Sequence, residues 1–207
     1  MTVTGPAFDR RATLLAHNAG LWEGTFIRLE GQPDGEAVEV ERFASRLLVE
    51  DRDGTVDASL TNLDSGNVRS MRFAQPPAEM QISPEGHWSL GPERIGAWPW
   101  VAELCLAGGE RRRRAVVRLE GERLISLVVV VEARPGVDET PSPPSWRLPA
   151  IRQAEGLLWR PAADLEVRAA AGSVELAWRQ PAGETLRLRR AYSEYGLLLP
   201  LEQAAPL

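Results

Sequence analysis

Turn-forming clusters break this chain at intervals of about 8–12 residues, and short apolar runs lie between them. Residues 31–35 separate a run that opens at Leu21 from a second over 37–49. Asp51 to Gly54 precedes a third over 55–63, and Asp64-Ser65-Gly66-Asn67 a fourth that ends near Phe73. Further runs surround Met80 and cover 87–90 and 101–106. A hairpin follows, with arms 111–119 and 123–133 around Glu120-Gly121-Glu122. Beyond a Pro-rich connection over about 134–149, runs appear at 164–169, 173–179, 184–192 and 196–201. That is about ten to thirteen short strands with no alternating helices, the pattern of an all-β sandwich or barrel.

One helix is expected, over residues 4–17. Thr4 can cap it, Pro6 suits its first turn, and Phe8, Ala12 and Leu15 fall on one face. Asn18 and Gly20 stop it, and the first strand starts at once. In that strand Trp22 and Phe26 share one face with Gly24 between them, where a missing side chain admits a close backbone or ring. The segment beyond the Pro-rich connection has too few strands for a core of its own and is expected to complete the same barrel. The 207 residues then form a single domain.

Composition narrows the partners. The net charge of −5 argues against nucleic acid. The basic groups are all Arg, so any fixed anion site must use planar, bidentate guanidinium groups. No apolar run approaches the ~20 residues of a transmembrane span. The lone Cys105 sits in an apolar strand and reads as an inert thiol of a reducing compartment, with the cytoplasm as the expected location. His17 and His87 are far apart in sequence, and neither is near a nucleophile or metal-ligand pattern. Gly108-Gly109 lacks the Lys and helix of a phosphate loop. An enzyme is therefore the poorer reading, and no cofactor or metal is expected.

The opening Asn18-x-Gly20-x-Trp22-x-Gly24-x-Phe26 resembles that of the lipocalin-like (calycin) proteins of cyanobacteria and plastids known as the DUF3598 family, a domain of unknown function. The resemblance continues in Gly96-Ala97 with Trp98 and Trp100, in Ala102-Glu103-Leu104, in Arg111 to Arg114, in the apolar strand ending at Glu132, and in Arg189 to Gly196. After the connection it weakens to Gly156-Leu157-Leu158-Trp159-Arg160. It implies an antiparallel calycin-type β-barrel with a short N-terminal helix. More distantly, Leu-Trp-x-Gly-x-Phe is similar to the opening of phycobiliprotein lyases, calycin barrels that handle open-chain tetrapyrroles.

Strand parity supplies the candidate site. Leu186, Leu188, Arg190 and Tyr192 share a face, so inward leucines carry a guanidinium and a phenol inward with them. That pair can hold a ligand carboxylate, and its Arg-x-Tyr spacing is similar to the carboxylate-binding element of fatty-acid-binding proteins. The competing reading packs Arg190 over Trp22 to close the barrel. Arg111 and Arg113 share parity with Ala115, Val117 and Leu119 and add to an inward anion pocket. Arg112 and Arg114 are expected on the surface, paired with Glu103 or Glu132. Trp98 and Trp100, in a Gly- and Pro-flanked bend, form either an aromatic lip at a cavity mouth or a packed corner. Three functions remain open. They are a non-enzymatic binding protein for a fatty acid or tetrapyrrole carboxylate, a bilin lyase or chaperone with a phycobiliprotein partner, and a filled barrel acting as an interaction domain. A cavity below about 300 Å³ favours the last.

Overall fold

The computed structural model describes residues 8–139, 147–153 and 156–201. The first element is α1 (Arg10–Asn18), whose N-terminus is capped by Asp9 through a 2.9 Å hydrogen bond from the Ala12 N–H. This cap changes the phase expected from sequence. Leu14 and Asn18, one turn apart, are the buried pair, while Phe8 and Ala12 are exposed. Thr4 and Pro6 lie outside the described residues.

The strands that follow are antiparallel. β1 (Gly20–Gly31), β2 (Ala37–Arg52), β3 (Thr55–Asn62) and β4 (Val68–Phe73) form a meander. Then come β5 (Gln81–Ile82), β6 (Trp88–Leu90), β7 (Trp100–Gly108), β8 (Arg111–Glu120) and β9 (Arg123–Ala133). β9 returns beside β1, so the order across the sheet is β4-β3-β2-β1-β9-β8-β7-β6-β5. The short β10 (Arg147–Leu148), inside the Pro-rich connection, pairs with Val38 and Ala37 of β2. Residues 140–146 of that connection lie outside the described residues.

This sheet is curled into a half-barrel. The helix contacts both β2 and β5, which stand six strands apart, about 29 Å in a flat sheet at about 4.8 Å per strand. A nine-residue helix is only about 14 Å long, so it reaches both only because the sheet bends round to meet it. Gly24 serves the bend as expected: a Cβ added there would lie 2.0 Å from the carbonyl oxygen of Val131 on β9. Gly24→Ala should therefore lower stability by about 1–3 kcal/mol or more through overpacking. Equal thermal melts for wild type and variant would contradict such close approach.

The last five strands differ from expectation. β11 (Ile151–Gln153), β12 (Gly156–Ala162), β13 (Leu165–Ala170), β14 (Ser173–Arg179) and β15 (Thr185–Ala191) form a sheet of their own, in sequence order, rather than hydrogen-bonding into the curl. β12 was hidden by Pro161, which sits where the register shifts between Trp159 and Ala162 and no regular ladder bond is needed. The strand expected over 196–201 is reduced to isolated bridges, Arg94 with Leu197 and Tyr192 with Leu198. A turn closed by Gly196 N–H to the Ser193 carbonyl reverses the chain there, and Pro200 removes a ladder donor. Trp159, Val167, Leu176, Trp178 and Leu188 of this second sheet pack on Ile27, Leu104, Ala115, Val117 and Leu127 of the first, and together they form the main core. The large sheet is thus covered on its outer face by the small one, while its concave face looks into the curl. Among the described residues no helix is long and apolar enough to cross a membrane.

Candidate functional site: the open half of the curled sheet

The register determines which residues line the concave face. Trp22, Phe26 and Arg28 of β1 stand opposite Leu47, Phe43 and Glu41 of β2. On the other side Arg112, Val116 and Arg118 stand opposite Glu132, Val128 and Ser126. Alternation carries these residues to one face and Ile27, Leu29, Ala115 and Val117 to the other.

The helix end of the curl is filled. Trp22, Leu47, Val49 and Val56 form an apolar cluster there. Beside it lies a buried ionic group. Glu132 accepts hydrogen bonds from Nε and Nη2 of Arg112 (2.9 and 2.8 Å) and from Nε and Nη2 of Arg114 (3.1 and 2.9 Å). Arg114 also donates to Glu103 at 2.9 Å. Burial alone would raise the Glu132 carboxyl pKa, but the two guanidinium groups and the hydrogen bonds they donate outweigh it and hold the pKa below the ordinary carboxylate value. Arg112 and Arg114 are therefore paired as expected but not at the surface, because this face is closed over by the curl and the helix.

Asn18 joins the parts of this floor. Its carboxamide donates to the carbonyls of Leu14 and Gly86 and accepts from Trp88 Nε1 (3.2 Å) and Arg112 (3.3 Å), while its backbone carbonyl accepts from Trp22 Nε1 (2.9 Å). Sequence reasoning used Asn18 only as a helix stop. Its side chain bonds Leu14 within α1 and reaches the Gly86 turn, β6 and β8, and so helps tie α1 to the sheet. Cys105 lies buried nearby, its thiol pKa pushed up to about 12 by burial against the pull of Arg112 and Arg114. His17 packs on Gly86, and the buried His87 accepts the Ala107 N–H through Nδ1 at 3.2 Å. Burial lowers the pKa of His87, which keeps that acceptor neutral.

The opposite half of the curl is open. Here a cavity of about 360 Å³ is floored by Phe26 and Phe43, stacked with ring centroids 4.5 Å apart, and by Val116 and Val128. Arg28, Arg69 and Arg118 line its walls against the single carboxylate of Glu41. Arg28 stands 3.8 Å from Glu30, but among the described residues Arg69 and Arg118 have no ion pair or hydrogen bond. This contrasts with most arginines of the chain, which are held by carboxylates or carbonyls. None of these cavity residues was proposed as a site residue from sequence; Phe26 was placed on the face of Trp22, a parity that leads on to Arg28, and that of Arg112 and Arg114 leads to Arg118.

The residues that were singled out are spread over three places. Trp22 lies in the filled floor, between the guanidinium groups of Arg112 (4.3 Å to the ring centroid) and Arg134 (3.8 Å). Arg112 and Arg134, not Arg190, cover this ring. Arg111 and Arg113 point to the second sheet, where both pair with Glu139 at 3.0 Å and Arg113 stacks on Trp178. Arg190 and Tyr192 do face inward, but into the seam between the sheets. All five guanidinium donors of Arg190 are occupied: by Tyr192 Oη (2.7 Å), the carbonyls of Glu79 (3.0 Å), Gly91 (2.7 Å) and Pro92 (2.9 Å), and Ser89 Oγ (3.3 Å). Tyr192 donates to the Pro92 carbonyl at 2.9 Å and meets Trp100 edge-on, with ring centroids 5.2 Å apart. Trp98 is 56% exposed, with its ring lying over Gly96.

Comparison with known proteins bears on the fold. No family model matches the chain, and no curated protein matches it. Among solved structures, it is similar to a protein of unknown function from the DUF3598 family of Nostoc punctiforme. The two share 17% sequence identity and superpose with a TM-score of 0.68 over 94% of this chain and 97% of that one. The chain therefore has the fold of a DUF3598 protein, the same family its Trp-Gly opening resembles.

Proposed function

We propose that this protein binds a small amphipathic carboxylate, without enzymatic activity, in the open half of its curled sheet. One observation carries the reading. Two guanidinium groups that hold no partner among the described residues, those of Arg69 and Arg118, line an aromatic-floored cavity in a chain whose net charge is negative. Planar guanidinium donors beside a low-dielectric wall hold a carboxylate by charge-assisted hydrogen bonds, while the stacked Phe26 and Phe43 take the adjoining apolar part. The cavity volume of about 360 Å³ lies above the lower bound of about 300 Å³ for small-molecule sites. In this reading the anion is anchored by Arg69 and Arg118, and Arg190 with Tyr192 maintains the fold.

The test is calorimetric titration of delipidated protein with octanoate, palmitate and biliverdin. Saturable binding is expected, weakened about tenfold or more in Arg118→Glu. The melting temperature of that variant should not move, since Arg118 is exposed and holds no partner among the described residues. The preferred ligand separates a fatty-acid carrier from a bilin handler. No saturable binding by folded protein, or binding indifferent to Arg118→Glu, would sink the proposal and favour an interaction domain.

A further inference from the structure

A second cavity adjoins the first. It is a groove of about 540 Å³ walled by Leu90, Pro92, Trp98 and Pro99, and it shares Val101 and Arg118 with the open half of the curl. We infer that this groove receives the distal apolar end of the same ligand, so that the protein selects long-chain carboxylates over short ones. The inference rests on the reading of the first cavity as a carboxylate site. The head lies among Arg28, Arg69 and Arg118, the chain passes over Val101, and its end lies against Trp98.

Three features give this orientation. Arg28 and Arg69 border only the first cavity, while the groove carries the carboxylate of Glu79, which repels an anionic head. The first cavity alone is near the lower limit for a ligand site, so an extended chain needs the additional room. Trp98 is a preset surface rather than a loose side chain: a Cβ on Gly96 would lie 2.4 Å from its ring, so the indole rests on backbone with one face covered. Arg118, at the junction with the first cavity, is the one guanidinium group that lines the groove, and the proline, leucine and indole walls beyond it suit hydrocarbon.

The test is a chain-length series, octanoate, dodecanoate and palmitate, titrated into wild type, Trp98→Ala, Trp98→Phe and Arg118→Glu. Octanoate fits the first cavity and should bind wild type and Trp98→Ala within about twofold of each other. For wild type, affinity should rise by up to about threefold to fourfold per added methylene, the transfer value of a buried methylene. In Trp98→Ala the rise between dodecanoate and palmitate should flatten, and Trp98→Phe should restore part of it. An equal chain-length slope in wild type and Trp98→Ala, with octanoate still dependent on Arg118, would overturn the groove and leave the first cavity standing. Failure of every acid to bind would remove both.

Discussion

Replacing Glu132 with Gln should lower the stability of this protein by about 3–5 kcal/mol, because it strips the shared counter-charge from two buried guanidinium groups. Glu132 takes four hydrogen bonds from Arg112 and Arg114 through its two oxygens, and a carboxamide has only one acceptor oxygen to offer. Its NH2 would face donors. Glu103 still reaches Arg114, but no other carboxylate reaches Arg112 among the described residues. Urea unfolding measures the loss directly. Changing Glu132, Arg112 and Arg114 together to apolar residues of similar volume should cost far less, since such replacements are often neutral or stabilising. A Glu132→Gln variant as stable as wild type would contradict the pairing.

The pH dependence follows from the same groups. The folded pKa of Glu132 lies below its ordinary value of 4.5, so its contribution is complete above that pH and is lost as pH falls through the folded pKa. The folded pKa of His87 likewise lies below 6.5, so the native state requires the neutral ring and loses stability earlier in the same direction. Acid unfolding should begin below about pH 6.5 and steepen below about pH 4.5. His87→Asn, which keeps an acceptor for the Ala107 N–H, should remove the first phase and leave the second.

Arg190→Lys is the second large effect expected, about 3 kcal/mol of stability. An ammonium has three donors where five acceptors surround the guanidinium, and it lacks the planar fork that reaches the Gly91 and Pro92 carbonyls together. Space for the fork is built in, since a Cβ on Gly91 would lie 2.9 Å from Arg190 Nε. The segment from Glu79 to Pro92 should therefore gain faster amide hydrogen exchange in this variant. A site whose guanidinium merely waits for a ligand would behave in the opposite way, losing binding while holding its stability. Arg118→Glu should follow that second pattern, and the two variants side by side distinguish a clamp from an anchor.

Much of this molecule was legible because the relevant signals are local. Turn residues mark strand ends regardless of what the strands pair with, so nine of the strand runs from Leu21 to Ala133 fall where the punctuation puts them. Gly24 was readable because a glycine between two aromatic residues on one strand face has few other uses. The alternation that pairs Arg190 with Leu188 and Tyr192 is also a property of the strand alone. The tertiary structure decided which interior each face meets. A curled sheet with a second sheet on its back has two buried faces, so parity divides Arg111 and Arg113 from Arg112 and Arg114 without saying that both pairs are covered. β15 pairs with β14, its neighbour in sequence, but the acceptors that hold Arg190 at the seam, from Glu79 to Pro92, are about 100 residues away. The guanidinium-lined cavity likewise exists only where Arg28, Arg69 and Arg118, from three different strands, are brought together by the bend.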